Sequence, residues 1–512
     1  MVMGGGGVLS RVFTSSVLGI DGLLVEVEVD VSYGLPHFGI VGLPGEEVRE
    51  SRDRVRAALK NSGYTFPADR IVVNLAPAAV RKTGASFDLP IAVGIALASG
   101  QITFPGGGDY LVLGELSLDG RLKRIRGVLC MASVAERQGL KAVLLPAANS
   151  REASVATRRP VYGAESLAEV LEILDGKADA KAVCYQAPPE DRAACGVDFN
   201  EVSGQEHAKR AVEVAAAGGH NILMTGPPGS GKTMIARRIP TILPELTREE
   251  ALETTKIFSV AGLLRHDGLL RARPFRAPHH TASDVALIGG GRIPRPGEVS
   301  LANHGVLFLD EFTEFTRSAL EVMRQPLEDR VVTIARASAT ATFPANFMLV
   351  AAMNPCPCGN LTDPGKACRC TVRDIGRYRQ KISGPLLDRI DIHIEVPPAR
   401  YSDISAREPG ECSASIRERV TRARGIQLER FEREPEVFAN SQMPVRLIKR
   451  FCRIDKDGRE LLKSACIKLG LSARSYSKVL KVARTIADLD AATDIEPRHL
   501  AEAIQYRAGD LQ

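Results

Sequence analysis

The residues best suited to chemistry cluster in the middle of the chain. Gly226, Pro227, Pro228, Gly229, Ser230, Gly231, Lys232 and Thr233 spell G-x-x-x-x-G-K-T, between an apolar run at 221–225 and a helical-looking segment at 234–238. Glycines let backbone N–H groups close on phosphates, and a helix N-terminus beyond the loop adds its positive end. In that context Lys232 reaches the β- and γ-phosphates and Thr233 places its hydroxyl on Mg²⁺, so ATP with Mg²⁺ is the expected cofactor pair. Residues 306–309 form an apolar run ending in Asp310 and Glu311. A buried strand there would present Asp310 to hold Mg²⁺ through its water shell and Glu311 to polarise the attacking water. A further apolar run at 347–353 ends at Asn354, which either positions that water or forms a turn. Arg389 sits between Asp388 and Asp391. It either neutralises phosphoryl charge in a neighbouring subunit's site or only pairs with the two acids.

Four of the ten cysteines, Cys356, Cys358, Cys368 and Cys370, form C-x-C-x9-C-x-C. Clustered thiols in a reducing compartment suit a tetrahedral S₄ site for structural Zn²⁺, with an Fe–S cluster or free thiols as alternatives. Cys130, Cys184, Cys195, Cys412, Cys452 and Cys466 are scattered and read as buried or surface thiols. His279 and His280 are adjacent, a spacing expected to point them apart, in a loop that contacts a neighbouring subunit or DNA. Residues 330–343 read as a β-hairpin with Arg336 near its tip, a candidate contact to DNA phosphates.

The elements that must position these residues follow from periodicity. Ahead of the phosphate loop, residues 23–31 alternate as a strand, and 46–62 read as a helix ended by Gly63. Strands at 70–75, 110–113 and 141–145 alternate with helices at 89–98, 128–138 and 166–174, an α/β pattern. Residues 176–197 lack periodicity and read as a linker, and a second composition change falls near Pro397 and Pro398. Beyond it, 416–433 is an Arg/Glu-laced helix expected to rest on i,i+4 pairs, and the chain from Pro444 reads as helices. The expected units are therefore 1–175, a linker 176–197, an ATPase core 198–398 holding the cysteine insertion, and a helical lid 399–512. At 512 residues, with 67 Lys+Arg against 61 Asp+Glu, the excess of +6 excludes a polycation but permits a local basic face. No run of 18 apolar residues is present, and the N-terminal segment has no basic-then-apolar leader. No membrane partner is expected, and the cytoplasm is the expected compartment.

Together these motifs resemble an AAA+ ATPase of the magnesium-chelatase/MCM-related branch. The stretches 39–44 (GIVGLP), 49–63, 273–281 (RPFRAPHHT) and 354–359 (NPCPCG) are similar to the YifB/ComM family of Mg-chelatase-like proteins, over nearly the whole chain. The resemblance implies an N-terminal Lon-protease-like (S5-type) α/β domain, a P-loop AAA+ three-layer α/β core and a C-terminal α-helical lid. It also implies a ring, a homo-hexamer, and for some members a helicase activity promoting branch migration of DNA in recombination and natural transformation. Arg474, in the stretch 471–475, matches the lid arginine called sensor 2. Residues 82–90 and 114–121 resemble the Lon proteolytic site, with Ser86 at the nucleophile position. The lysine position holds Leu129, which cannot take a proton, so no peptidase activity is expected. Arg81, Lys82, Arg121, Lys123, Arg124 and Arg126 form either a DNA-binding patch or an ordinary solvated face. A chelatase-like or chaperone-type ATPase acting on a protein partner is the alternative function; the N-terminal segment is expected to weigh against it.

Overall fold

The computed structural model describes all residues except 1–2, 5–6, 79, 83, 106–108, 185–195, 265–267, 292–293, 337–338, 399–409, 435–436 and 509–512. Most of the expected linker, Cys195, the very tip of the 330–343 hairpin and the junction after Pro398 lie outside the described residues.

The N-terminal unit is built on one mixed sheet. Its strands are β1 (Gly7–Leu18), β2 (Asp21–Ser32), β3 (His37–Val41), β4 (Arg70–Ala76), β5 (Tyr110–Val112), β6 (Ala142–Pro146) and β7 (Val161–Ala164). The order along the sheet is β7-β6-β5-β1-β2-β4-β3. Alternation in β2 is real: Val25, Val27 and Val29 are fully buried while Glu26 and Glu28 are not. The expected helix at 46–62 is divided, with four residues Glu46–Arg49 followed by α1 (Ser51–Asn61), and Gly63 ends it at φ +83°. Against the sheet lie α2 (Asp88–Ala98), buried almost throughout, α3 (Val128–Arg137) and α4 (Leu167–Leu174), the last capped by Ser166.

The central unit carries a five-stranded sheet. It comprises β8 (Ile222–Thr225), β9 (Phe275–Arg276), β10 (Val306–Leu309), β11 and β12 as a separate hairpin (Val331–Arg336, Ala339–Pro344), β13 (Met348–Met353) and β14 (Ile392–Glu395). The sheet order is β9-β10-β13-β8-β14, every pairing parallel. Both faces of β10 and β13 are buried, which explains their unbroken apolar runs. Helices α5 (Glu206–Gly218), α6 (Lys232–Ile242) and α7 (Arg248–Ala261) cover it; a Thr247/Glu250 capping box starts α7. After β13 come α8 (Val372–Arg379) and the single turn α9 (Gly384–Leu387).

The C-terminal part is helical: α10 (Ser413–Arg430), α11 (Val445–Phe451), α12 (Lys456–Leu469), α13 (Ala473–Leu489) and α14 (Pro497–Ala508). The expectation that α10 rests on i,i+4 pairs is corrected. Arg422–Glu418 is such a pair, but Arg419 reaches Glu213 at 2.5 Å and Arg424 donates to the Ala216 carbonyl at 3.0 Å. Arg430 donates to Asp488 at 2.8 Å, and Ile416, Val420, Ala423 and Gln427 are buried. The arginines tie the lid to α5 and to its own core rather than decorating an exposed helix.

The N-terminal and central units share a core. Ile20 and Cys130 belong to the same apolar cluster as Ile257, Leu307 and Phe343. Ser259 Oγ donates to Glu152 Oε1 at 2.6 Å across the junction. Gly19, at φ +66°, sits so close to the hairpin that a Cβ there would lie 2.7 Å from the Thr342 carbonyl oxygen.

Candidate nucleotide-binding site

Parallel register brings the site together. Thr225 pairs with Met353 and with Glu395, and Leu309 pairs with Ala351. The three strands therefore end at nearly one level, so the 226–233 loop, Asp310–Glu311 and Asn354 emerge side by side at the carboxyl edge of the sheet. That edge is where open α/β sheets bind ligands. β13 lies between the strand of the phosphate loop and the strand of the acids, which puts Asn354 between them.

The loop closes tightly because of its glycines. Gly229 and Gly231 adopt φ +79° and +92°, and a Cβ on Gly226 would lie 2.2 Å from the Val396 carbonyl oxygen. α6 begins at Lys232 itself, so free N–H groups of its first turn face the loop. Lys232 is buried, and its ammonium donates to the carbonyls of Gly226 at 2.7 Å and Pro227 at 2.8 Å. Burial lowers its pKa and the nearby Asp310 opposes this. Thr233 Oγ1 donates to Asp310 Oδ2 at 2.8 Å, so hydroxyl and carboxylate share one place for a cation. These side chains fit Mg²⁺: hard oxygen donors beside a phosphate cradle.

Glu311 stands in the left-handed region at φ +51°, with its N–H on Asp310 Oδ1 at 3.0 Å. Its carboxylate lies 2.9 Å from His280 Nδ1. The expectation that His279 and His280 point apart is corrected: they lie in an irregular loop and their ring centroids are 4.1 Å apart. The role of His280 beside Glu311 had no signal in the sequence, because the loop and the strand end meet only in the folded chain.

Arg389 and Arg474 lie away from this loop and share a partner. Arg389 Nη2 contacts Glu328, its Nη1 donates to the Pro385 carbonyl at 2.7 Å, and its Nε is buried without a partner. Arg474, in the first turn of α13, is exposed and lies 3.9 Å from the other Glu328 oxygen. The expected pairing of Arg389 with Asp391 is corrected: Asp391 faces Lys478 Nζ at 2.8 Å and His220 Nδ1 at 3.2 Å. Burial alone would raise the Asp391 carboxyl, but Lys478 and His220 outweigh it and hold it well below the usual carboxylate range.

The four cysteines converge. Cys356 Sγ lies 3.4 Å from Cys358 Sγ and 3.7 Å from Cys368 Sγ, and Cys358 to Cys368 is 3.6 Å. With Cys370 the four sulfurs lie within 4.8 Å of one another. Ligands about 2.3 Å from a tetrahedral zinc ion would stand roughly 3.8 Å apart, so the set fits such an ion. Backbone N–H groups of Asn360 and Arg369 aimed at Cys358 bring its thiol down to about 6.

Of the basic patch, Arg121, Lys123 and Arg124 are exposed, but Lys82 is not. This corrects its expected role: its ammonium donates to the carbonyls of Gly42, at 3.1 Å, and Pro77, turned inward from any DNA. Ser86 and Leu129 are both buried, and Leu129 lies in an apolar cluster with Val128 and Leu113. Arg336 is exposed at the end of β11, before the undescribed tip.

A phosphate loop on a parallel sheet, two acids on a neighbouring strand end and a helical lid define an AAA+ ATPase. Family descriptions agree: "Magnesium chelatase, subunit ChlI" matches residues 198–404, "Subunit ChlI of Mg-chelatase" 27–149, and the ChlI C-terminal part 410–507. The chain is 43% identical to the competence protein ComM of Haemophilus influenzae over 504 residues, 98% of this chain and 97% of that one. It is 43% identical to YifB of Escherichia coli over 505 residues, with the same coverage. The protein belongs to this YifB/ComM family of Mg-chelatase-like proteins. A weaker likeness, 19% over 333 residues (61% of this chain, 36% of the relative), joins it to the zygotic DNA replication licensing factor mcm6-B of Xenopus laevis. Because the 27–149 match carries the chelatase subunit's description, the N-terminal segment does not argue against a chelatase-like function. Among the described residues no helix is long and apolar enough to cross a membrane.

Proposed function

We propose that the protein is a ring-forming, hexameric motor that couples ATP hydrolysis to movement on DNA, a helicase promoting branch migration in recombination of incoming strands. Lys232 and the loop amides hold the phosphates, Thr233 and Asp310 hold Mg²⁺, and Glu311 activates water that Asn354 orients. Arg389 serves a neighbouring subunit's site, and Arg474, which shares Glu328 with it, senses γ-phosphate at that same neighbouring site. Zn²⁺ occupies the four-cysteine site, and the units divide at 1–175, 176–197, 198–398 and 399–512. The observation that carries the reading is the separation of Arg389 from its own phosphate loop, parked on Glu328 with one buried nitrogen unpaired. An arginine so held is of little use to its own site, and release from Glu328 would free it to reach a second copy. The relative's name, a competence protein, and the likeness to a replication licensing factor support DNA as the track.

The chelatase description favours a second reading, remodelling of a protein partner without DNA translocation. ATPase measured with and without branched DNA, together with displacement of a labelled strand, separates them. The motor reading expects stimulation and displacement; absence of both leaves the protein-partner reading.

A further inference from the structure

The cysteine turn rests on the phosphate loop. Gly359 follows Cys358 directly, adopts φ +78°, and its N–H donates to the Cys356 carbonyl at 2.9 Å. A Cβ built on it would lie 2.6 Å from Cδ of Pro228 in the loop and 3.9 Å from Cγ of Asn354. There is no room for a methyl group between the two turns. On the other side, Cys370 precedes Thr371, whose capping box with Asp374 starts α8. α8 buries Tyr378, whose phenol meets the Asn354 backbone. The four thiols thus join the segment leaving β13 to the start of α8, and Asn354 and Pro228 are touched from within that closed stretch. Among the described residues no other group of three or more His, Cys, Asp or Glu side chains is placed to hold a metal.

We propose that a thiophilic divalent ion of the zinc class, bound by Cys356, Cys358, Cys368 and Cys370, is an effector of nucleotide binding. Its occupancy fixes Gly359 against Pro228 and holds Asn354 at its strand end, so the loop is better shaped for phosphate when the metal is in place. This rests on the zinc and ATP readings above. Without the ion, thiolates 3.4–3.7 Å apart lose the charge that holds them together, and the turn on Pro228 is free to open. Coupling between two sites is reciprocal: the factor by which metal tightens nucleotide binding equals the factor by which nucleotide tightens metal binding.

The test uses the full chain. Bound zinc is quantified by elemental analysis, and the Kd of a fluorescent non-hydrolysable ATP analogue is measured with zinc loaded, stripped, and restored, in saturating Mg²⁺. Zinc affinity against a competing chromogenic chelator is then measured with and without the analogue. Expected are one zinc per chain and roughly tenfold tighter analogue binding when loaded, within the usual range for coupled sites. Zinc should be held tighter by the same factor when the analogue is present. Pro228→Ala, which removes the contact with Gly359, should keep its zinc but bring both factors to about one. Full zinc content with analogue and zinc affinities each unchanged by the other overturns the coupling while leaving the zinc reading intact. Absence of stoichiometric zinc overturns both. If stripping unfolds the chain, shown by circular dichroism, the chelator competition on the folded protein decides.

Discussion

At the scale of single residues, the nucleotide site makes separable demands. Lys232→Ala should abolish binding of the ATP analogue, because a buried ammonium that now sits on two loop carbonyls is the charge the phosphates would take over. Glu311→Gln should bind the analogue normally and hydrolyse ATP about 10²–10⁴-fold more slowly, the usual weight of a positioned base. Steady-state turnover beside equilibrium binding tells the two apart; equal losses in both variants would refute the division of labour. His280→Ala is expected to raise basal ATPase severalfold at unchanged analogue affinity, since it releases a carboxylate now engaged at 2.9 Å. A fall in turnover would instead make His280 a support that Glu311 needs. The phosphate loop and its acids were legible in the sequence because each rests on local chemistry: glycines at fixed offsets, and an apolar run ending in acids. His280, Glu328 and the Gly359–Pro228 contact were not, because each joins residues from separate elements.

At the scale of elements, periodicity recovered strands and helices well where one face is buried, as in β2 and β10. It misjudged α10, whose interleaved Arg and Glu look like solvated i,i+4 pairs. A charge pattern does not reveal whether its partner lies one turn away or on another helix, as Glu213 does for Arg419. Lys82 failed for a related reason. A lysine between polar residues reads as exposed, yet backbone carbonyls of Gly42 and Pro77 satisfy it inside the fold. The β11–β12 hairpin keeps Val332, Ile334, Ala341 and Phe343 in the core and leaves Arg336 exposed at the far end of β11. Arg336→Ala should lower DNA-stimulated ATPase with basal turnover intact, and reduce the slope of log binding constant against log salt by about one. An unchanged slope would remove this residue from the DNA contact.

For the whole molecule, the proposed sharing of Arg389 between copies predicts a complementation. Arg389→Ala and Glu311→Gln should each be nearly inactive alone, and mixed rings should recover part of the activity, since some sites would join an intact glutamate to an intact neighbouring arginine. No recovery on mixing would confine Arg389 to its own subunit. Acid sensitivity should come from the core–lid junction. Burial outweighs the Asp391 contact and lowers His220 from its ordinary 6.5, so the folded chain keeps this imidazole neutral. Below about pH 6.5 the unfolded chain binds a proton the folded one refuses. Stability is then full above that pH and falls beneath it, by at most about 1.4 kcal/mol per pH unit for this group. The depressed Asp391 carboxyl adds a further loss as pH falls below about 4, the unfolded carboxyl's range. Thermal unfolding between pH 7.5 and 5.5 should show the decline and His220→Gln should flatten it; equal slopes would assign the sensitivity elsewhere.

The turn at Gly19–Ile20 has a bearing on how small this ATPase can be made. Ile20 and Cys130 fill part of the apolar cluster that also seats Ile257 and Phe343, and Glu152 accepts from Ser259. Cutting the chain ahead of residue 198 would bare that face and strand a buried hydroxyl. The ATPase engine is therefore not a detachable cartridge: its chassis includes the N-terminal unit, and any excised version will need a substitute surface beneath the hairpin to stay in solution.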